Sequence, residues 1–368
     1  MIPAFSRPTR ALVSRGALLH NFSLMKKTVG PSCSVQAVLK ADAYGHGAAA
    51  IAPLLARAGA TSFGVATLEE AVQLRKAGIR REIILLGALE ESSLEEAARW
   101  KIGVTAWNRP YLEAASRRLR RPLDIHLKVD TGMARLGFGA LDVAGVLADF
   151  QGGRWPRLRL ASAYTHLACA DELFDRASAR QLKVFRGLPW PEGLALHAAN
   201  SAAALRLPEA RFSRVRSGIF LYGAMAEGLH PMSRRQRPVM AFHSRVLRVA
   251  SLKTGEGVSY GHTFRAKKPM KVATLCVGYA DGVPRALSNR GEVLIHGKRC
   301  RILGRVCMDL MMADVTRIKG VKPGDLAVLL GQQGKESVEA HEWARLCGTN
   351  TYEILCGITG RVPRELVA

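Results

Sequence analysis

Between about residues 34 and 222 the chain alternates, eight times over, a short run of β-branched and other apolar residues with an amphipathic helical pattern. Few architectures accommodate that rhythm. The candidate strands cover residues 34–40, 62–66, 82–87, 102–106, 123–130, 158–167, 193–200 and 213–223. Eight strands separated by seven helices predict a (β/α)8 barrel, a TIM-like α/β fold. The intervening helices are ordinary. LEEAVQLRKAG (68–78) carries Leu68, Ala71, Val72 and Leu74 on one face and Gly78 as a stop, and SSLEEAARW (92–100) is expected to start on a Ser92 cap with Glu95 three positions later.

From about residue 236 the period changes. Segments such as HSRVLRVASLK, KVATLCVGYADG and GDLAVLLG are strand-rich and punctuated by glycine, with helical patterns confined to HEWARLCG and TYEILCGI. A barrel needs ~250 residues, and a chain of 368 has room for a second, mainly β domain. The expected division is 1–235 for the barrel and 236–368 for the β domain, with the boundary in the basic loop 233–238.

Charge then limits the classes of partner. The 54 Lys and Arg against 30 Asp and Glu give a formal net charge of +24, concentrated in RRLRRP, RWPRLR and SRRQR. Such a balance suits nucleic acid or anionic membranes. No recognition-helix, zinc-finger or RNP-like pattern accompanies it, and the basic clusters lack interleaved aromatics, so they read as solvated faces. Seven cysteines without a CxxC pair indicate neither a disulfide framework nor a zinc knuckle. The N-terminus shows no apolar signal segment, and no uncharged apolar run reaches the length of a membrane span. A cytoplasmic location and no membrane partner are the resulting expectations.

In a barrel of this type the chemistry collects at the C-terminal ends of the strands. Polar residues fall there repeatedly: Lys40 after the first strand, Lys128 and Asp130 at the fifth with Arg135 in its loop, His166 at the sixth, Asn200 and Ser201 at the seventh, Arg216 and Gly218 on the eighth. Each alone has a plain structural reading. Lys40 could be a surface lysine, His166 a satisfied core histidine, Asn200 and Ser201 the cap of the helix SAAALRL, and Arg216 a surface residue. Their coincidence on one rim is what suggests a site. Lys40, at the end of an apolar run and followed by Asp42, Tyr44 and His46, stands where a desolvated amine could act as a nucleophile or Schiff-base partner.

Several strings then resemble, in one order over both domains, those of the alanine racemases. AVLKADAYGHG is similar to that family's cofactor-lysine motif, KVDTGMARLG to its Lys and Arg segment, and THLACADE to its His segment. HAANSAA and RSGIFLYG resemble the phosphate and pyridine motifs, VSYGHTF the second-base motif, and GYADG and GRVCMD the C-terminal signatures. The basic run 265–268 after Phe264 is a departure that would alter the charge of the entrance.

The resemblance implies a homodimer that binds pyridoxal 5'-phosphate and interconverts L- and D-alanine, supplying D-alanine for peptidoglycan or degrading alanine. Lys40 would hold the cofactor, and Lys40 and Tyr260 of the partner subunit would be opposed bases. His166 and Arg216 would tune the tyrosine and the pyridine nitrogen. Tyr44, Asn200, Ser201, Gly218, Ile219 and Tyr352 would hold the cofactor. Arg135 and Met308 would meet the substrate carboxylate, Tyr279 and Tyr352 would narrow the entrance, and Lys128 matches a lysine that is commonly a carbamate. Free phenols and lysines titrate near ~10 and ~10.4, so both bases need an environment that lowers them. The rival readings are a racemase of broader specificity, a decarboxylase on the same barrel, a cofactor carrier without the second domain, and a nucleic-acid binder motivated by charge alone.

Overall fold

The computed structural model of the protein describes residues 7–173 and 176–368. All eight candidate strands form, and they make one parallel sheet of Ser34–Val38, Ser62–Val65, Glu82–Leu85, Gly103–Ala106, Leu123–Lys128, Leu158–Tyr164, Ala195–His197 and Arg214–Ser217. The first strand pairs in register with the second and with the eighth (Gln36 opposite both Ser62 and Arg216). The seventh and eighth are tied by Arg216 N–H to Ala199 O (2.9 Å) and Ser213 N–H to Leu196 O (3.2 Å), which closes the barrel.

The strands are shorter than the sequence suggests, and most of the lost residues lie at their C-terminal ends. The first stops at Val38, and Lys40 opens a separate turn. The eighth stops at Ser217 because residues 218–223 turn back on themselves, with Leu221 N–H donating to Gly218 O and Gly223 N–H to Phe220 O. These truncations leave polar groups free of the ladder at the rim, where the fold needs them. The expected Ser92 cap is not made. A 3-10 turn, Glu91–Ser93, takes up that stretch, the helix begins at Leu94, and the Glu95 carboxylate accepts from Arg120 N–H instead. In the preceding helix Thr67 and Glu70 form a reciprocal capping box.

The second domain is built on a nine-stranded sheet. Two of its strands come from the ends of the chain. Arg10–Ser14 pairs antiparallel with the long strand Met240–Leu252 and parallel with Arg364–Val367. The helices Ala340–Cys347 and Thr351–Cys356 are the two expected there, and the first buries Trp343 against Phe242. A continuous hydrophobic core runs through both halves. Two of the three basic clusters, RRLRRP and RWPRLR, are exposed and paired: Arg118 with Glu91, Arg154 with Glu113 and Arg159 with Asp124. Among the described residues no helix is long and apolar enough to cross a membrane, and no cluster of three metal-binding side chains occurs.

Candidate active site

A cavity of about 440 Å³ opens at the C-terminal rim of the barrel. Lys40, Tyr44, Lys128, Arg135, His166, Asn200, Ser201, Arg216, Gly218, Ile219 and Tyr352 all line it, together with Tyr164 and Leu86. Among the described residues, four basic side chains and no carboxylate face this space. A cavity of similar size near Tyr222, about 480 Å³, is lined mainly by aliphatic and small residues. The chemistry gathers in the rim cavity.

Arg216 is its centre. The guanidinium is buried on the eighth strand, and its two terminal nitrogens donate to Thr165 O (2.8 Å), Ala198 O (2.9 Å) and His197 O (3.1 Å), and to His197 Nδ1 (2.9 Å) and His166 Nδ1 (3.2 Å). A guanidinium can only donate, so both rings must accept at Nδ1 and carry their protons on Nε2. Burial, and then the Arg216 charge itself, holds both histidines well below their ordinary titration range. They are neutral at pH 7. His197 in turn reaches Ser162 Oγ (3.2 Å), which lies 2.6 Å from His126 Nδ1, so a file of neutral polar groups inside the barrel keeps the arginine in one place.

Tyr164 is the platform beneath the cations. Its hydroxyl bonds Thr105 (2.7 Å), its ring stacks on His197, and Lys128 Nζ and Arg216 Cζ lie 5.0 and 5.3 Å from its centroid. Such contacts partly compensate desolvated cations. Lys128 is nevertheless pushed down from its ordinary 10.5 to about 7, first by burial and then by Arg216 and Arg135. Burial, followed by the Arg135 charge, also lowers Lys40. Both amines are thereby biased toward the free base.

The other end of the cavity is a cradle of small groups. Ser201 Oγ accepts from Gly218 N–H (2.9 Å) and Phe220 N–H (3.5 Å), joining the seventh strand's helix to the eighth strand's turn. A Cβ on Gly218 would sit 2.5 Å from the Tyr44 hydroxyl, so only glycine leaves that space. Tyr44 packs between Tyr222 and Tyr352, with ring centroids 4.8 and 5.9 Å away. Asn200 has the plainer role: its Oδ1 accepts from Ala203 N–H (2.9 Å) and caps the helix Ser201–Arg206. The cap foreseen for Asn200 and Ser201 together is thus divided, and Ser201 is free for the cradle.

Three of the expected residues lie elsewhere. Tyr260 and Met308 line a separate, open cavity of about 540 Å³ with Ser259, His262 and Cys307, and are 71 % and 52 % exposed. Tyr279, 41 % exposed, opens a short 3-10 turn tied to that region through Cys307 O. Below it the buried Asp281 accepts from Gly278 N–H (2.9 Å) and pairs with Arg7 (2.5 Å). Sequence reasoning did not single out Tyr164, His197 or Glu70. His197 stood inside HAANS as an unremarked strand residue, and Glu70 was visible only as the last member of a T-x-x-E capping box.

The comparisons agree across the whole chain. Residues 13–226 match the sequence model of the alanine racemase N-terminal domain and residues 239–366 that of the alanine racemase C-terminal domain. An alanine racemase of Carboxydothermus hydrogenoformans is 40% identical over 371 residues, covering 98% of this chain and 100% of that protein. One from a Nostoc species is 38% identical over 382 residues, 98% of this chain and 96% of the relative. Among solved structures, alanine racemase from E. faecalis superposes with a TM-score of 0.94 at 32% identity over 100% of both chains. The Bacillus anthracis enzyme, described with bound L-Ala-P, gives 0.92 at 33% identity over 99% of this chain and 96% of that one.

Proposed function

The chain belongs to the alanine racemase family, a family of isomerases, and we propose that it inverts alanine with pyridoxal 5'-phosphate through two opposed bases, Lys40 of one subunit and Tyr260 of the partner subunit. The observation that carries this reading is the rim cavity itself: four cations, no carboxylate, a glycine-lined cradle at one end and a lowered lysine at the other.

That donor set suits an anionic, aromatic, phosphate-bearing group. Ser201, Tyr44 and the backbone at Gly218 and Ile219 would hold the phosphate, since glycine admits close backbone approach. Tyr352 would pack at the same end, and Lys40 would bind the group covalently through Nζ. When bound, pyridoxal 5'-phosphate supplies the ring that withdraws electrons and lets an amino acid's α-proton leave.

Everything else falls to the protein. Once the substrate's own amine has displaced it, Lys40, biased toward its free amine, would take the proton from one face of the α-carbon or return it there. Tyr260 of the partner subunit serves the other face. Its exposure in the single chain, away from Lys40, fits a residue that completes its site in a homodimer. A tyrosine base requires a donor that stabilises its phenolate. His166, neutral and with its proton on Nε2, is suited to that task because Arg216 occupies Nδ1. Arg216 would face the pyridine nitrogen and would disfavour protonation there, since two cations would meet. The electron sink would then be weaker, which would limit side reactions such as transamination and suit a racemase.

Arg135 and the backbone at Met308 of the partner subunit would meet the substrate carboxylate. Lys128, with its amine free near neutrality, could take up carbon dioxide and become an anion beside Arg135. Tyr279 of the partner subunit and Tyr352 would restrict the entrance to a small side chain. The deciding experiment is polarimetry on protein reconstituted with pyridoxal 5'-phosphate, run with L- and D-alanine and then with larger L-amino acids. Approach to a racemic mixture from both alanine enantiomers, faster than for larger substrates, is expected; optical rotation that never decays would refute the assignment.

A further inference from the structure

Lys40 heads a turn that L-residues avoid. Ala41, Asp42, Ala43 and Tyr44 hold φ of 51–57° and ψ of 41–51°, a full left-handed helical turn without a glycine among them. This conformation costs ~1–2 kcal/mol per residue, and an alanine-rich stretch would otherwise wind right-handed. It persists only where its surroundings over-determine it.

The barrel supplies part of that constraint. Glu70 Oε1 accepts from Ala41 N–H (2.6 Å), while its other oxygen accepts from Ala66 N–H (2.8 Å). Asp42 Oδ1 accepts from Ala48 N–H (2.7 Å), and His46 Nδ1 lies 2.9 and 3.0 Å from the Tyr44 and Ala43 carbonyls. The rest comes from the other domain. Arg364 Nε donates to Gly45 O (2.8 Å), the exit of the turn, and the same guanidinium reaches Ile358 O (2.5 Å), Thr359 O (2.5 Å) and Val362 O (2.6 Å). Gly45, at φ 80°, presses so closely on Leu355 that a Cβ would stand 2.5 Å from its carbonyl oxygen.

We propose that Arg364 is a positioning residue for Lys40: anchored by three carbonyls of the C-terminal domain, it fixes the exit of the left-handed turn and so holds the amine in its place on the barrel rim. Its relevance to catalysis rests on the reading of Lys40 given above, but the geometry does not. The charge of Arg364 is not the agent. Burial and then Arg135 account for most of the lowering at Lys40, and Arg364 is not among its causes. A planar fork that satisfies four carbonyls is also something a lysine cannot reproduce.

The test uses full-length protein freed of cofactor. Acetic anhydride labelling across a pH series, with Lys40 quantified by mass spectrometry, gives the titration of its amine. Arg364→Ala and Arg364→Lys should both raise the midpoint by about one pH unit, roughly ten-fold less reactive amine near pH 8. Glu365→Ala, on the same strand and exposed, should leave it unchanged. An unchanged midpoint in Arg364→Ala, or full restoration by Arg364→Lys, overturns the proposal. If Arg364→Ala does not fold, Arg364→Lys decides by the same results. Pyridoxal 5'-phosphate uptake by wild type is scored separately: its absence refutes the cofactor reading and leaves the Lys40 titration to stand or fall alone.

Discussion

Lys128 offers a direct measure of how much strain the cation cluster carries. The folded protein holds its pKa at about 7 against an ordinary 10.5. At ~1.4 kcal/mol per pH unit that difference is roughly 5 kcal/mol of folding stability. The sign follows from proton binding. Between pH 7 and 10.5 the unfolded chain takes up a proton that the folded chain refuses, so stability rises with pH in that window. Below pH 7 both states are protonated and the whole penalty is felt; above 10.5 neither is, and it vanishes. Lys128→Met removes the titration and keeps an unbranched apolar stem. Relative to this variant, wild-type cofactor-free protein in carbon-dioxide-free buffer should gain about 3 kcal/mol between pH 6.5 and 9.5, read from urea unfolding midpoints and slopes. The contact with the Tyr164 ring shifts the offset by ~1 kcal/mol without changing that trend. Bicarbonate at pH 8 should then stabilise wild type and leave Lys128→Met unmoved, because an anion beside Arg135 and Arg216 replaces a neutral amine there. A wild-type minus variant difference that does not change with pH would refute the reasoning.

Two further outcomes are expected. Gly218→Ala, whose Cβ meets the Tyr44 hydroxyl at 2.5 Å, should weaken pyridoxal 5'-phosphate binding at least ~10-fold by absorbance titration and lower the melting temperature of the cofactor-free protein by a few degrees, since one crowded contact costs ~1–3 kcal/mol; undiminished affinity would place the phosphate elsewhere. Tyr260→Phe should slow solvent-deuterium incorporation from L-alanine by ~10²-fold or more, the usual contribution of a general base, with a smaller effect from D-alanine; equal losses from both enantiomers would mean that Tyr260 has no face of its own.

The sequence made the barrel legible because β-branched runs and helical periods alternate without interruption, and every candidate strand formed. What it hid was set by distant partners. RALVS and RELV, the first and last strands, are short and find their register only on each other and on Met240–Leu252. Ser92 looked like a cap by local chemistry, yet the 3-10 turn before Leu94 takes its place. KADAYG reads as a glycine-containing turn before a helix, but nothing local in it specifies four left-handed residues; Glu70 and Arg364 impose them from 30 and 324 positions away. The rim residues themselves were visible because each stands at or just beyond the C-terminal end of an apolar run and carries a charge or a hydrogen-bonding group. Tyr164 and His197 were not, because a residue inside a strand gives no sign of which neighbour it will stack upon.

The pairing of Arg10–Ser14 with Arg364–Val367 has a consequence for the protein's birth on the ribosome. At ~5–20 residues per second, roughly 20–70 seconds separate the emergence of the first strand from that of the last. Ser14 Oγ meets Ala368 O across 354 positions. Through that interval the strands and helices of the barrel can assemble, but the edge that receives Arg364–Val367 stays open. Arg364, and with it the lock on the turn behind Lys40, leaves the exit tunnel long after Lys40 itself. A nascent chain can therefore own a barrel well before it owns a properly aimed lysine, and premature termination just short of Arg364 would leave a folded core with its amine unset.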